Sequence, residues 1–318
     1  MRNLTKLGLG LGLAALMSAP AMSEETINLT VVSGFSPSVA AVKMLQESFI
    51  PTVNAELAKT GDYKINWQEA FSGTLATPGG ELEAVQTGLA DVGVIVTAIH
   101  ADKIPLYLIG YVTPFTTTDM GLVHEVVDGL VEKYPAFGET WDKFNQVTLS
   151  ASGIADNYIV CSAKPIDTVE DIDGLKIGGI GPNLRWMEPI GAVGVNANLG
   201  NFYNMTQTGV TDAMLVWGEA VVSLKFYEVC DYYFNANLGG ANTYAINVNK
   251  QTWSKLPDEV KEALTTGAKA YGVAIGDFAA EVGEKAIAIF KESGGTVSDI
   301  DEQERLDWAA KLPNIAQE

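Results

Sequence analysis

With 318 residues, and 20 Lys and Arg against 39 Asp and Glu, the chain carries a formal net charge of −19 at pH 7. Charge of that sign repels phosphate backbones, and no basic stripe or basic–aromatic cluster offsets it, which speaks against nucleic-acid binding. The length suits one large domain or two lobes, and the only cysteines, Cys161 and Cys230, stand at no metal or redox spacing.

The N-terminus has the pattern of an export signal. Arg2 and Lys6 form a basic start, Leu7 to Met17 an apolar run, and Ala19-Pro20-Ala21-Met22-Ser23 a small-residue cleavage zone. The apolar run is shorter than the roughly 20 residues a membrane span needs, and no lipobox cysteine follows. Residues 1–23 are therefore expected to be a signal peptide, with the mature chain in the periplasm.

After the leader, Ile27, Leu29 and Val31 alternate with polar residues, the period of a strand. Ser36-Pro37 predicts a capped helix start, and Val39, Val42, Leu45 and Phe49 give that helix one apolar face. A strand is expected over Ile65 to Phe71, a helix on Leu82, Val85 and Leu89, and a buried strand over Asp91 to Val96. This β-α-β-α-β run implies a largely parallel sheet, whose strands present ligand groups at their C-terminal ends. Tyr111 to Phe115 reads as another strand end, and Met120, Val123, Val127 and Leu130 space a helix. Thr148 to Ile154 reads as a strand able to pass into a second lobe.

Thr168 with Asp171 makes a capping-box start for a short turn before Gly174. A short buried strand, a Gly-rich loop and a helix near Asn183 are expected to follow. Val216-Trp217 closes a strand, Ala220 to Tyr227 opens a long helix, and Thr243 to Val248 returns as a strand. Leu256-Pro257-Asp258 opens an amphipathic helix reaching about Lys291, and Asp301 to Lys311 is a last short helix. Cys161 and Cys230 lie in apolar runs, so two buried unpaired thiols are preferred slightly over a disulfide.

Enzyme chemistry is hard to locate. His100 and His124 are the only histidines, and neither stands in a metal or nucleophile motif. There is no G-x-S-x-G elbow, H-E-x-x-H or P-loop, and Gly178-Gly179-Ile180-Gly181 departs from a dinucleotide fingerprint. Candidate ligand-binding residues come from strand ends and helix starts. In the first half they are Phe35, Ser36, Phe71, Thr74, Thr97 and Tyr111. In the second they are Asp156, Tyr158, Gly178, Gly179, Asn183, Trp186, Trp217 and Glu219, with Arg185 a weaker member. For each aromatic, core packing is an equal reading.

Several phrases carry a family resemblance. They are Pro165-Ile166, Glu170-Asp171-Ile172-Asp173-Gly174-Leu175-Lys176-Ile177, Gly191-Ala192, Tyr203, Gln207 to Asp212 and Phe226-Tyr227-Glu228. Pro78-Gly79-Gly80-Glu81-Leu82-Glu83-Ala84-Val85-Gln86-Thr87-Gly88-Leu89-Ala90-Asp91 and Leu256-Pro257-Asp258-Glu259-Val260 add to them. In this order they resemble the DctP-type periplasmic solute-binding subunit of TRAP transporters over nearly the whole mature chain.

The resemblance implies an α/β fold of two lobes, a ligand cleft between them and a long helix spanning both. Lobe I would be 24–153 plus about 243–280, and lobe II about 154–242 plus about 281–318. It implies a monomer that catalyses nothing, needs no cofactor or metal, and hands a small-molecule ligand to TRAP permease membrane subunits. A sensory binding protein would close in the same way, so that alternative stays open.

The family's carboxylate-clamping arginine falls at Gly178 here, and a second arginine falls at Tyr158. Neither residue replaces a bidentate guanidinium. One expectation is an aromatic or apolar monocarboxylate held by the backbone N–H groups of Gly178, Gly179 and Gly181 at a helix start, with small dicarboxylates bound poorly. Gly178→Arg is then expected to fill the cleft. The other is a neutral or cationic solute held by Asp156, Glu219 and aromatic faces.

Overall fold

The computed structural model describes residues 24–317, so the expected signal peptide lies outside the described residues. Strand β1 (Glu25–Val32) pairs in parallel with β2 (Tyr63–Ala70) and with β3 (Val92–Val96). All five β3 residues are buried, as expected of a Val/Ile-rich strand covered on both faces. The helices between these strands are α1 (Ala40–Met44) and α2 (Ile50–Leu57), joined by a π-turn, and α3 (Glu81–Thr87). Pro51 has no N–H for an i→i−4 bond, and the wider turn at Leu45–Phe49 carries the chain past it.

Next come α4 (Ile109–Val112), α5 (Met120–Lys133) and α6 (Ala136–Asp142). Strand β4 (Gln146–Ala155) then leaves the first sheet, and β5 (Tyr158–Ser162) opens a second. The second sheet gathers β6 (Lys176–Gly179), β7 (Val193–Asn196), β8 (Ala213–Trp217) and β9 (Tyr232–Asn235), with α7 (Leu199–Gln207) and α8 (Gly218–Ser223) between them. Strand β10 (Ala241–Asn249) returns to the first sheet. It is followed by α9 (Lys250–Lys255), α10 (Asp258–Glu292), β11 (Thr296–Asp299) and α11 (Glu302–Lys311).

The sheet orders are β2-β1-β3-β10-β4 and β11-β9-β5-β8-β6-β7. Both are mixed rather than largely parallel, because the strands that cross between lobes run antiparallel to their neighbours. The 35-residue α10 is about 52 Å long at 1.5 Å per residue, enough to back both sheets. Its buried stripe includes Val260, Leu264, Gly267, Tyr271, Ile275, Ala279, Ala286 and Phe290, and it packs on α2, β4 and α8. No helix among the described residues is long and apolar enough to cross a membrane.

Several local expectations are corrected. The helix after Ser36 starts only at Ala40, because the Ser36 carbonyl first accepts the Val39 N–H in a turn. Tyr111 to Phe115 is α4 and a turn rather than a strand end; Tyr107, Leu108 and Tyr111 are buried at helical spacing. The segment near Asn183 is the 3-10 turn Gly181–Trp186, and α8 stops at Ser223, before Lys225 takes φ +56°. Cys161 and Cys230 form a disulfide with Cα atoms 5.7 Å apart, overturning the preference for free thiols. The sequence pattern hid this because β5 and β9 become neighbours only through the fold.

Candidate ligand cleft

The cleft forms where the C-terminal ends of β3, β6 and β7 face one another across the lobes. A cavity of about 360 Å³ is lined from lobe I by Pro78, Ala98, Ile99, Ala101 and Asp102. Lobe II contributes Ile180, Gly181, Pro182, Asn196, Ala197 and Asn198. The lining is apolar with neutral amides and one carboxylate; it contains no Lys or Arg.

Glu81 fixes the lobe I rim. Its buried carboxylate accepts the Gly34 N–H at 2.8 Å and the Gly79 N–H at 2.7 Å, joining the loop after β1 to the loop before α3. Burial pushes its pKa up, and the two N–H donors oppose that shift. A Cβ at Gly34 would stand 2.2 Å from the Pro78 nitrogen, so only glycine permits this approach.

Beside the cavity, an aromatic wall joins the lobes. The Tyr158 ring packs edge-on against Trp186 and Trp217, with centroids 5.2 and 5.5 Å away, and Tyr111 stacks on Trp186 at 6.0 Å. Tyr111, on α4 of lobe I, meets the Tyr158 hydroxyl at 3.1 Å. The Trp186 Nε1–H donates to the Tyr111 carbonyl at 2.8 Å. The α11 helix secures the wall from behind, since the Trp308 Nε1–H donates to the Trp186 carbonyl at 2.7 Å. Trp217 is 3% exposed, and its Nε1–H donates to Glu219 Oε2 at 2.8 Å. Burial raises the Glu219 pKa against the Ser223 and Trp217 hydrogen bonds.

The fold thus brings Tyr111, Tyr158, Trp186, Trp217 and Glu219 together, with Asn183 on the same turn as Trp186. Thr97 is buried at the end of β3, where the chain turns toward the cavity. Phe35 and Phe71 are buried in the lobe I core. Ser36 bonds to Ser38, and Thr74 is exposed with its hydroxyl on the Phe71 carbonyl. Asp156 lies behind the wall against α10, lining a different cavity of about 430 Å³ with His124, Asp277 and Glu284. Arg185 pairs with Glu188 at 3.3 Å.

The glycine cradle is not available. Gly178 and Gly179 lie within β6, paired to β7, and the Gly181 N–H already donates to Asn196 Oδ1 at 2.9 Å. A Cβ at Gly178 would make ordinary contact with Phe202 and Thr211 at 3.5–3.6 Å. At Gly179 it would collide with Leu184 and Asn183 at 2.5–2.6 Å. Sequence reasoning missed Glu81, Asp102, Asn196 and Asn198. Glu81 was visible within Pro78-Gly79-Gly80-Glu81, and Asn198 as a residue type suited to the N-cap of α7.

Comparison with known proteins agrees with this architecture. The model of bacterial extracellular solute-binding protein, family 7 (DctP), matches residues 37–318. The C4-dicarboxylate-binding periplasmic protein DctP of Rhodobacter capsulatus is 27% identical over 218 residues, 64% of this chain and 61% of that one. A solute-binding protein of Chromohalobacter salexigens is 24% identical over 197 residues, 61% of this chain and 54% of that one. The matched stretches therefore span less than two thirds of these curated relatives.

Among solved structures, a TRAP periplasmic solute-binding protein of Desulfovibrio salexigens with bound orotic acid has a TM-score of 0.77 at 18% identity, covering 91% of each chain. A Bordetella pertussis extracytoplasmic solute receptor binding pyroglutamic acid has a TM-score of 0.75 at 18% identity, covering 92% of this chain and 100% of that one. These likenesses carry the two-lobed fold. On the strength of the family match, the chain belongs to the bacterial extracellular solute-binding protein family 7, a family of receptors and not of enzymes.

Proposed function

We propose that the chain is the periplasmic solute-binding subunit of a TRAP-type transporter, exported by its N-terminal signal peptide. It captures a small organic acid with an aromatic or apolar body, acts as a monomer, and delivers the acid to membrane permease subunits. The lobes divide as 24–153 plus about 243–280 and about 154–242 plus about 281–318, in keeping with the membership of the two sheets. The observation that carries the reading is the 360 Å³ interlobe cavity, apolar on its walls and edged with neutral amides at the strand ends. Acids bound by proteins of the same fold, orotic and pyroglutamic among them, support the ligand class. Binding from both lobes closes the cleft by a hinge motion.

A second reading, a neutral or cationic solute, is favoured by Asp102 in the lining and by the lack of Lys or Arg there. A thermal-shift screen separates the two, using benzoate, phenylacetate, orotate, succinate and benzylamine. Ligand at a hundredfold over its Kd adds about 2.7 kcal/mol, which moves the melting temperature by several degrees. The expected hits are benzoate and phenylacetate, recovered unchanged by mass spectrometry. Tight succinate binding, or shifts with benzylamine alone, overturns the ligand class.

A further inference from the structure

The 3-10 turn Gly181–Trp186 has its first residues in the cleft lining and its last in the aromatic wall. Asn183 lies between the two and is 1% exposed. Its Oδ1 accepts the Ile180 N–H at 2.9 Å, which decides the orientation of the amide, because only the oxygen can face that donor. The Nδ2 group is consequently turned away from Ile180, and it has no partner among the described residues. A buried amide N–H without an acceptor is costly, and folded proteins leave few of them. The turn packs against Thr97–His100 and α4 of lobe I, so the turn that carries the unspent donor sits where the lobes meet, directly after the lining residues Gly181 and Pro182.

We infer that the Asn183 amide is the donor that receives the carboxylate of the bound acid, taking the place of a guanidinium with a neutral group. This rests on the organic-acid reading above. A neutral donor suits a monoacid whose apolar body supplies much of the affinity, because it adds one or two directed bonds without a balancing charge. It also accounts for a cleft lining with no cation.

Asn183→Asp is the test, because it keeps an oxygen for the Ile180 N–H and replaces only the donor. Titration calorimetry with benzoate, benzamide and benzylamine is run on the wild type and the variant. The expected result is benzoate bound by the wild type and weakened about tenfold or more in N183D. Benzamide, which brings its own N–H, is then preferred by the variant. Equal benzoate affinity in the two proteins overturns the assignment of Asn183 while leaving the acid reading intact. A wild type that binds benzylamine and no acid overturns both. Should N183D fail to fold, Asn183→Ser carries the comparison, since its hydroxyl is too short to replace Nδ2, and unchanged benzoate affinity there overturns the assignment equally.

Discussion

At the scale of single residues, Asp156 shows how position changes the meaning of a carboxylate. It stands at the exit of β4 with its Oδ1 accepting the Asn157 N–H at 2.6 Å. Burial raises its pKa from the ordinary 3.8 to about 6; the Asn157 bond opposes this and the nearby Glu219 adds to it. Between those two values the folded protein holds a proton that the unfolded chain has released. Stability from this group is therefore fully present below the unfolded pKa, falls as pH rises through the window, and levels off above about 6. The shift corresponds to a loss on the order of 2–3 kcal/mol. Asp156→Asn should thus be more stable than the wild type at about pH 7.5 and close to it at about pH 4, measured by urea unfolding. A variant less stable at the higher pH would show that the carboxylate makes a favourable charged contact. The neighbouring Asn157 has a separate task. Its side chain bonds Asn237 Oδ1 at 3.0 Å and accepts the Gly239 N–H at 3.0 Å, fastening one lobe crossing to the other.

At the scale of elements, α10 carries glycines with opposite roles. A Cβ at Gly283 would stand 2.0 Å from Asp156 Oδ2, whereas at Gly276 nothing lies within 4 Å. Helix propensity alone favours alanine over glycine by about 1 kcal/mol at both positions. Gly276→Ala should therefore raise stability by up to about 1 kcal/mol, and Gly283→Ala should lower it by about 1–3 kcal/mol through overpacking. Equal effects of the two substitutions in chemical denaturation would refute the close approach at Gly283. The same helix was the most legible element in the sequence, because its apolar residues keep helical spacing over many turns. Wholly apolar strands such as β3 and β8 were nearly as clear. What stayed hidden were short elements whose form is set by contacts distant in sequence. Tyr107, Leu108 and Tyr111 are too brief a run to separate helix from strand by period. Similarly, nothing local announces that the Gly181 N–H is taken by Asn196, fifteen positions away, which is why an open glycine cradle looked plausible.

At the scale of the whole molecule, three segments among the described residues cross between lobes: the link from β4 to β5, the link from β9 to β10, and α10. The strands at 148–154 and 243–248 were readable from their residues, but where the chain crosses came mainly from the family resemblance, and the contacts that hold the lobes together could not be read. They depend on Tyr111 and Trp186, 75 positions apart, meeting through one hydrogen bond and a ring stack. Each intramolecular hydrogen bond contributes about 1 kcal/mol net, and 1.4 kcal/mol is a tenfold change in an equilibrium. Trp186→Phe removes the Nε1–H donor, and adding Tyr111→Phe also removes the hydroxyl that meets Tyr158. The double variant should shift the ligand-free protein toward open forms by roughly tenfold to thirtyfold. Small-angle scattering should then show a larger radius of gyration without ligand, returning toward the wild-type value when ligand is saturating. Affinity should fall in proportion, because part of the binding energy now goes into closing the lobes. If neither radius nor affinity changes, the wall's two hydrogen bonds do not hold the lobes together and closure is governed by the crossing segments alone.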